Sequence, residues 1–152
     1  MTDLGPLIEL ARTTGDFRPF VEAIPFARFL GITVEPDGEE LVTKMTFAPH
    51  LVGNALLPAL HGGTLGALLE SAAIFGVLWE SRKQPIGRGL KIINITVEYL
   101  RSARVTDTFA RAEITRQGRR VATVRSFAWQ EDRDKPVAVA NAHFLLPGRD
   151  AG

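Results

Sequence analysis

His61-Gly62-Gly63-Thr64-Leu65-Gly66-Ala67-Leu68-Leu69-Glu70-Ser71-Ala72-Ala73-Ile74-Phe75-Gly76-Val77-Leu78-Trp79 is the stretch whose reading decides the fold. Among the 16 residues from Thr64 to Trp79, Glu70 is the only charged side chain. Residues that are apolar or small nearly all the way round predict a helix buried on every side. Desolvating an unpaired carboxylate costs on the order of several kcal/mol. Glu70 therefore needs a partner or a use.

On the N-terminal side of this helix, residues 3–30 read as helical and loop-like, broken by Pro6, Gly15, Pro19 and Pro25. A first strand runs from Ile32 to Glu35 and turns at Pro36-Asp37-Gly38. Leu41 to Phe47 reads as the return strand, and Ala48 to Leu60 as a loop rich in breakers. The helix ends near Arg82, before Pro85, Gly87 and Gly89. Everything after it reads as strand. Ile93, Ile95, Val97 and Tyr99 alternate with polar residues, and Ala110, Ala112 and Ile114 mark the apolar face of the next strand. That strand turns at Gln117-Gly118; Val121 to Gln130 returns, and a last strand runs from Val137 to Leu146. Sequential strands with short connections predict an antiparallel sheet. The fold class is α+β, one helix buried because the sheet curls around it.

With 152 residues and 45% hydrophobic content the chain can fill the core of one domain. Cysteine is absent, which removes disulfides, thiolate zinc sites and a cysteine nucleophile, and fits a reducing cytoplasm. MTDLGPLIEL lacks the basic start and long apolar core of a signal peptide. The apolar run around Glu70 reads as too short, and wrongly charged at its centre, for a membrane span. A net charge of +1 gives no argument for nucleic acid. No histidines and carboxylates share a metal-binding spacing. The expectation is a soluble, single-domain cytoplasmic protein with no metal, nucleic-acid or membrane partner.

The residues themselves suggest chemistry. Gly62 and Gly63 stand at the helix N-terminus, where backbone N–H groups lack internal partners and carry partial positive charge. Without side chains they let a carbonyl oxygen come close. Glu70 can attack a carbonyl or activate water, or pair with an arginine of the sheet or of a second subunit. His61 can orient the loop, bond a substrate carbonyl, or cap the helix through its ring. His50 and His143 read as ordinary.

Leu60-His61-Gly62-Gly63, Glu70 nine residues after the histidine, and Tyr99-Leu100-Arg101-Ser102-Ala103 together resemble the hotdog-fold acyl-CoA thioesterases of the PaaI-like group. The approach Ile24-Pro25-Phe26-Ala27-Arg28-Phe29-Leu30-Gly31-Ile32 resembles the segment leading into that fold's first strand, and the likeness covers roughly residues 24–146. It divides the chain into an extension, 1–23, and a hotdog domain, 24–152. The resemblance implies a curled antiparallel sheet around one long helix, dimers with a continuous sheet that often pair into tetramers, and active sites at the dimer interface. It implies hydrolysis of acyl-CoA to free acid and coenzyme A without a metal or cofactor.

In that setting the Gly62 N–H polarises the carbonyl, with Gly63 beside it, Glu70 is the catalytic carboxylate, and His61 supports the geometry. Asn54 matches the Asn or Gln that holds the carboxylate or water, although the stretch Ala55 to Leu60 is one residue longer than the commoner pattern. Arg101 and Arg104 are the candidates for the coenzyme A phosphates. Leu56, Leu57, Ile74 and Phe75 are those for the acyl pocket, with Ile74 standing where relatives carry a polar residue that holds water. Dehydratases of this fold use histidine settings that the chain lacks. A non-catalytic acyl-CoA sensor or inactive paralogue is the alternative reading.

Overall fold

Three short helices lead the chain, and each opens on one of the prolines that read as breaks: α1 (Gly5–Thr14), α2 (Arg18–Glu22) and α3 (Pro25–Leu30). A proline in the first helical turn gives up an N–H that would have no partner there. Gly15 and Gly31 close α1 and α3 at φ 77° and 67°, left-handed positions that favour glycine. The computed structural model describes residues 3–81 and 89–147.

The first strand, β1 (Ile32–Asp37), continues through Pro36 and turns at residues 38–39 into β2 (Glu40–Met45). The expected turn at Pro36 is corrected because β1 is an edge strand, where a missing N–H breaks no ladder. Residues 48–60 are not all loop. They hold a 3-10 turn at Pro49–Leu51 and a small hairpin, β3 (Val52–Asn54) and β4 (Leu57–Leu60). The long helix follows as α4 (Gly62–Glu80), then β5 (Lys91–Tyr99), β6 (Thr108–Gln117), β7 (Val121–Trp129) and β8 (Ala138–Leu145).

The main sheet is antiparallel, in the order β1-β2-β6-β7-β8-β5, curled around α4. A register shift between Ile92 and Asn94 alters the expected alternation of β5. Ile93 turns outward at 58% exposure, and Ile92 lies opposite Phe144 instead. A bulge of this kind moves one residue off its predicted face.

Packing follows a division of sizes. The helix brings Leu65, Leu68, Leu69, Phe75, Val77 and Leu78, while the sheet offers Ala110, Ala122, Ala128, Ala138, Ala140 and Ala142. Small residues on the strands let the large ones of α4 sink to interior density. At Gly76 a Cβ would lie 3.0 Å from that of Ala112, so helix and sheet nearly touch. Phe17 packs edge-on against Phe75 and Trp79, and Phe20 against Phe75, so residues before 24 share this core. The buried Arg12 donates to the Ser81 carbonyl at the end of α4, a group the helix leaves unsatisfied.

Two expectations about α4 are corrected. Its 19 residues, at mean hydropathy 1.4, are long and apolar enough to cross a membrane by length and composition, but here it packs on β2, β5, β6, β7 and β8. Nor is it covered on every side. Gly63, Ala67, Glu70, Ser71 and Ile74 form a stripe at helical spacing that is not fully buried in the single chain.

Away from the helix, Asp107 accepts from the Phe47 N–H at 2.8 Å and pairs with Lys44 at 3.2 Å. The Phe47 hydrogen bond first, and Lys44 second, hold its carboxyl below the usual aspartate range. A depressed folded value adds stability above the unfolded value of about 3.9 and loses it as pH falls through the folded value. Wild type is therefore more stable than Asp107→Asn at pH 7, by less than about 1 kcal/mol for so exposed a pair. Urea midpoints converge once the carboxyl is protonated.

Candidate active site

An α-helix leaves its first four N–H groups without internal partners, and in α4 three of them are taken up locally. His61, the N-cap, accepts from the Gly63 N–H through its ring Nδ1 at 2.8 Å. Its carbonyl accepts from the N–H groups of Thr64 at 2.9 Å and Leu65 at 3.4 Å, and from Thr64 Oγ1 at 2.6 Å. Among the described residues the Gly62 N–H has no partner. Because Nδ1 accepts, the neutral ring carries its proton on Nε2.

The loop before the helix is pinned in turn. The His61 N–H donates to the Leu51 carbonyl at 2.8 Å, and the Leu60 N–H to that of Ala103 at 3.0 Å. A Cβ on Gly53 would stand 2.8 Å from His61 Cα and from its ring, so only glycine lets β3 pass this close. Gly53 was not among the sequence candidates; an isolated glycine in a short strand was the available signal.

Tyr99 is a second residue that sequence reasoning left without a role. From the end of β5 its hydroxyl donates to the Gly62 carbonyl at 2.8 Å. Its ring atoms lie 3.2 Å from where a Cβ on Gly62 would be, and the side chain remains 56% exposed. The signal was a hydroxyl-bearing ring that ends the alternating series Ile93, Ile95, Val97.

Glu70 lies two turns further along α4, half-buried on the open stripe. It forms no hydrogen bond or ion pair with a described residue, so among those residues no arginine of the sheet neutralises it. The neighbouring Ser71 hydroxyl donates to the Ala67 carbonyl at 2.8 Å.

The remaining candidates are spread more widely. Asn54 Oδ1 accepts from the Leu56 N–H at 2.9 Å, closing the β3–β4 hairpin. At its tip Leu56 is 91% exposed and Leu57 63% exposed, so neither is core in the single chain. Ile74 is half-buried and packs on the core under the helix, and Phe75 is fully buried facing Phe17. Arg101 is exposed and has no ion pair with a described residue. Arg104 pairs with Glu131 at 2.9 Å, and its backbone N–H and carbonyl both bond the Gln130 side chain. A cleft of about 460 Å3 opens on the outer face of the sheet, between Glu35, Lys44 and Phe109. It shares no residue with the α4 cluster, whose donor and carboxylate are the better basis for chemistry. Among the described residues no three His, Asp or Glu side chains stand together as metal ligands.

A long helix wrapped by an antiparallel sheet, with an N–H at its first turn and a carboxylate two turns on that have no partner among the described residues, defines a hotdog fold. The chain belongs to the thioesterase superfamily, whose family model matches residues 57–137. It is 29% identical over 140 residues to the medium/long-chain acyl-CoA thioesterase YigI of Salmonella typhimurium, covering 84% of this chain and 88% of that one. A crystal structure from Chromobacterium violaceum is 38% identical, with a TM-score of 0.74 over 94% of this chain and 98% of the other. A mutant of the phenylacetic acid degradation protein PaaI of Thermus thermophilus is 28% identical, with a TM-score of 0.62 over 80% and 98% of the two chains.

Proposed function

We propose that the protein hydrolyses acyl-CoA thioesters to the free acid and coenzyme A. One observation carries the reading: the Gly62 N–H and the Glu70 carboxylate share a helix, and neither has a partner among the described residues. Superfamily membership supports the reaction, and the Salmonella relative supports the substrate class.

The thioester oxygen accepts from the Gly62 N–H, so negative charge developing on it meets a fixed donor. Ionised Glu70 then has two routes. It attacks the carbonyl carbon, expels the coenzyme A thiolate and leaves an anhydride that water opens. Alternatively it takes a proton from the water that attacks directly. Each route consumes one water and yields acid and thiol. His61 holds the first turn in shape, and Asn54 the hairpin.

Geometry favours a site shared by two copies. Gly62 and Glu70 lie eight residues apart, about 12 Å along the helix axis. One carbonyl needs its oxygen and carbon each about 3–3.5 Å from their partners, a shorter span even with the Glu70 side chain leaning toward the N-terminus. An antiparallel second α4 brings the Glu70 of one copy beside the Gly62 of the other. The open stripe on α4, the unpaired edge of β5 and the exposed Ile93, Tyr99 and Leu100 suit such a contact. There Leu56, Leu57 and Ile74 meet the acyl chain, with Gly63 beside the carbonyl, and Arg101 and Arg104 meet the phosphates.

Release of free thiol from short, medium, long and aromatic acyl-CoAs tests the reading. Turnover of at least one is expected; binding without turnover throughout would make the protein a carrier or sensor. Activity per protomer is expected to fall on dilution to monomer, and full activity in a demonstrated monomer would remove the shared site.

A further inference from the structure

The two peptide groups on either side of Gly62 Cα are each gripped at the carbonyl by a side-chain hydroxyl. On the N-terminal side the His61 carbonyl accepts from Thr64 Oγ1 at 2.6 Å, besides two backbone N–H groups. On the C-terminal side the Gly62 carbonyl accepts from the Tyr99 hydroxyl at 2.8 Å, and the ring lies against Gly62 itself.

Helix capping does not explain these bonds. The groups that need partners at a helix N-terminus are N–H donors, not carbonyls, and His61 Nδ1 already serves the one on Gly63. A threonine hydroxyl bonding back three residues is a common local habit. Tyr99 comes from a strand 37 residues away, which local preference cannot account for.

The consequence falls on the Gly62 N–H, which belongs to the His61–Gly62 peptide. Hydrogen bonds accepted at a peptide carbonyl polarise the group and strengthen its N–H as a donor. Holding both neighbouring peptides also stops a glycine, the most mobile of backbones, from turning its N–H away. An oxyanion donor is effective to the extent that it need not reorganise when charge develops.

We infer that Thr64 and Tyr99 are positioning residues, a two-hydroxyl clamp in which Thr64 strengthens the Gly62 N–H through the His61 carbonyl and Tyr99 holds the following peptide, so that the N–H stays aimed at the thioester oxygen. The inference rests on the hydrolase reading above and deepens it. Both hydroxyls act through the two peptides that flank the Gly62 Cα.

The test uses the full chain and an acyl-CoA that wild type hydrolyses, with kcat and KM measured separately for Thr64→Val, Thr64→Ser and Tyr99→Phe. Removing an oxyanion donor outright costs about 10²–10³-fold in kcat, so loosening one is expected to cost roughly tenfold. The loss should appear in kcat with KM nearly unchanged in Thr64→Val and Tyr99→Phe, and Thr64→Ser should restore it. The Gly62 amide proton should move upfield in Thr64→Val, and its shift should change in Tyr99→Phe as the glycine loosens, a readout independent of turnover. Tyr99→Phe removes one oxygen from an exposed ring, so it tests the clamp even where Thr64→Val disturbs the helix. An active wild type with unchanged kcat and an unmoved Gly62 amide in Tyr99→Phe overturns the clamp and leaves the hydrolase reading standing. A wild type that turns over no acyl-CoA overturns both.

Discussion

Glu70→Gln lowers kcat by roughly 10²–10⁴-fold, the range for losing a positioned acid–base group, while affinity for a non-hydrolysable acyl-CoA analogue stays within a few-fold. Glutamine keeps the size and one acceptor oxygen of glutamate but neither attacks a thioester nor takes a proton from water. The half-buried carboxylate pairs with no described residue, so its removal breaks no ion pair seen in the chain. The loss should therefore be catalytic, with the urea midpoint little changed. A single-turnover reaction in 18O-labelled water then separates the two routes. Label in the Glu70 carboxylate marks an anhydride that water opens at the Glu70 carbonyl, whereas general-base action leaves label only in the product acid. Unchanged turnover in Glu70→Gln would move the chemistry to another residue.

Phe144→Ala is expected to cost about 3–5 kcal/mol of stability, the usual range for deleting a buried phenylalanine. Phe144 is fully buried on β8 between Ile92 and Ala122, in a cluster completed by Ala73, Val77, Val124 and Ala142. Urea unfolding at fixed protomer concentration should show a lower midpoint with an unchanged slope. A loss under about 1 kcal/mol would mean that β5 and β8 repack without the ring.

Much of the fold was legible because it is written between near neighbours. The apolar stretch around Glu70 becomes α4, and the alternation Ala122, Val124, Ser126, Ala128 becomes the inner face of β7. His61-Gly62-Gly63 marked the helix start, and the structure makes His61 the N-cap. Other expectations failed where an environment set by distant residues intervened. Pro36 continues a strand because that strand lies at an edge. Ile93 yields to Ile92 because β5 bulges against β8. The prolines at 6 and 19 start helices because residues 3–23 have α4 to pack against, and Pro25 starts one that packs on β1.

The site divides in the same way. Composition alone made Glu70 conspicuous and the glycines open to a close approach, since a lone carboxylate in an apolar run and a missing Cβ are properties of single residues. Folding determined that Glu70 stands on an open stripe, that Gly53 makes room for His61, and that Tyr99 grips Gly62. Local periodicity comes from bonds along the chain. Strand order, bulges and contacts across 37 residues come from which surfaces meet in space, and no spacing in the sequence encodes that meeting.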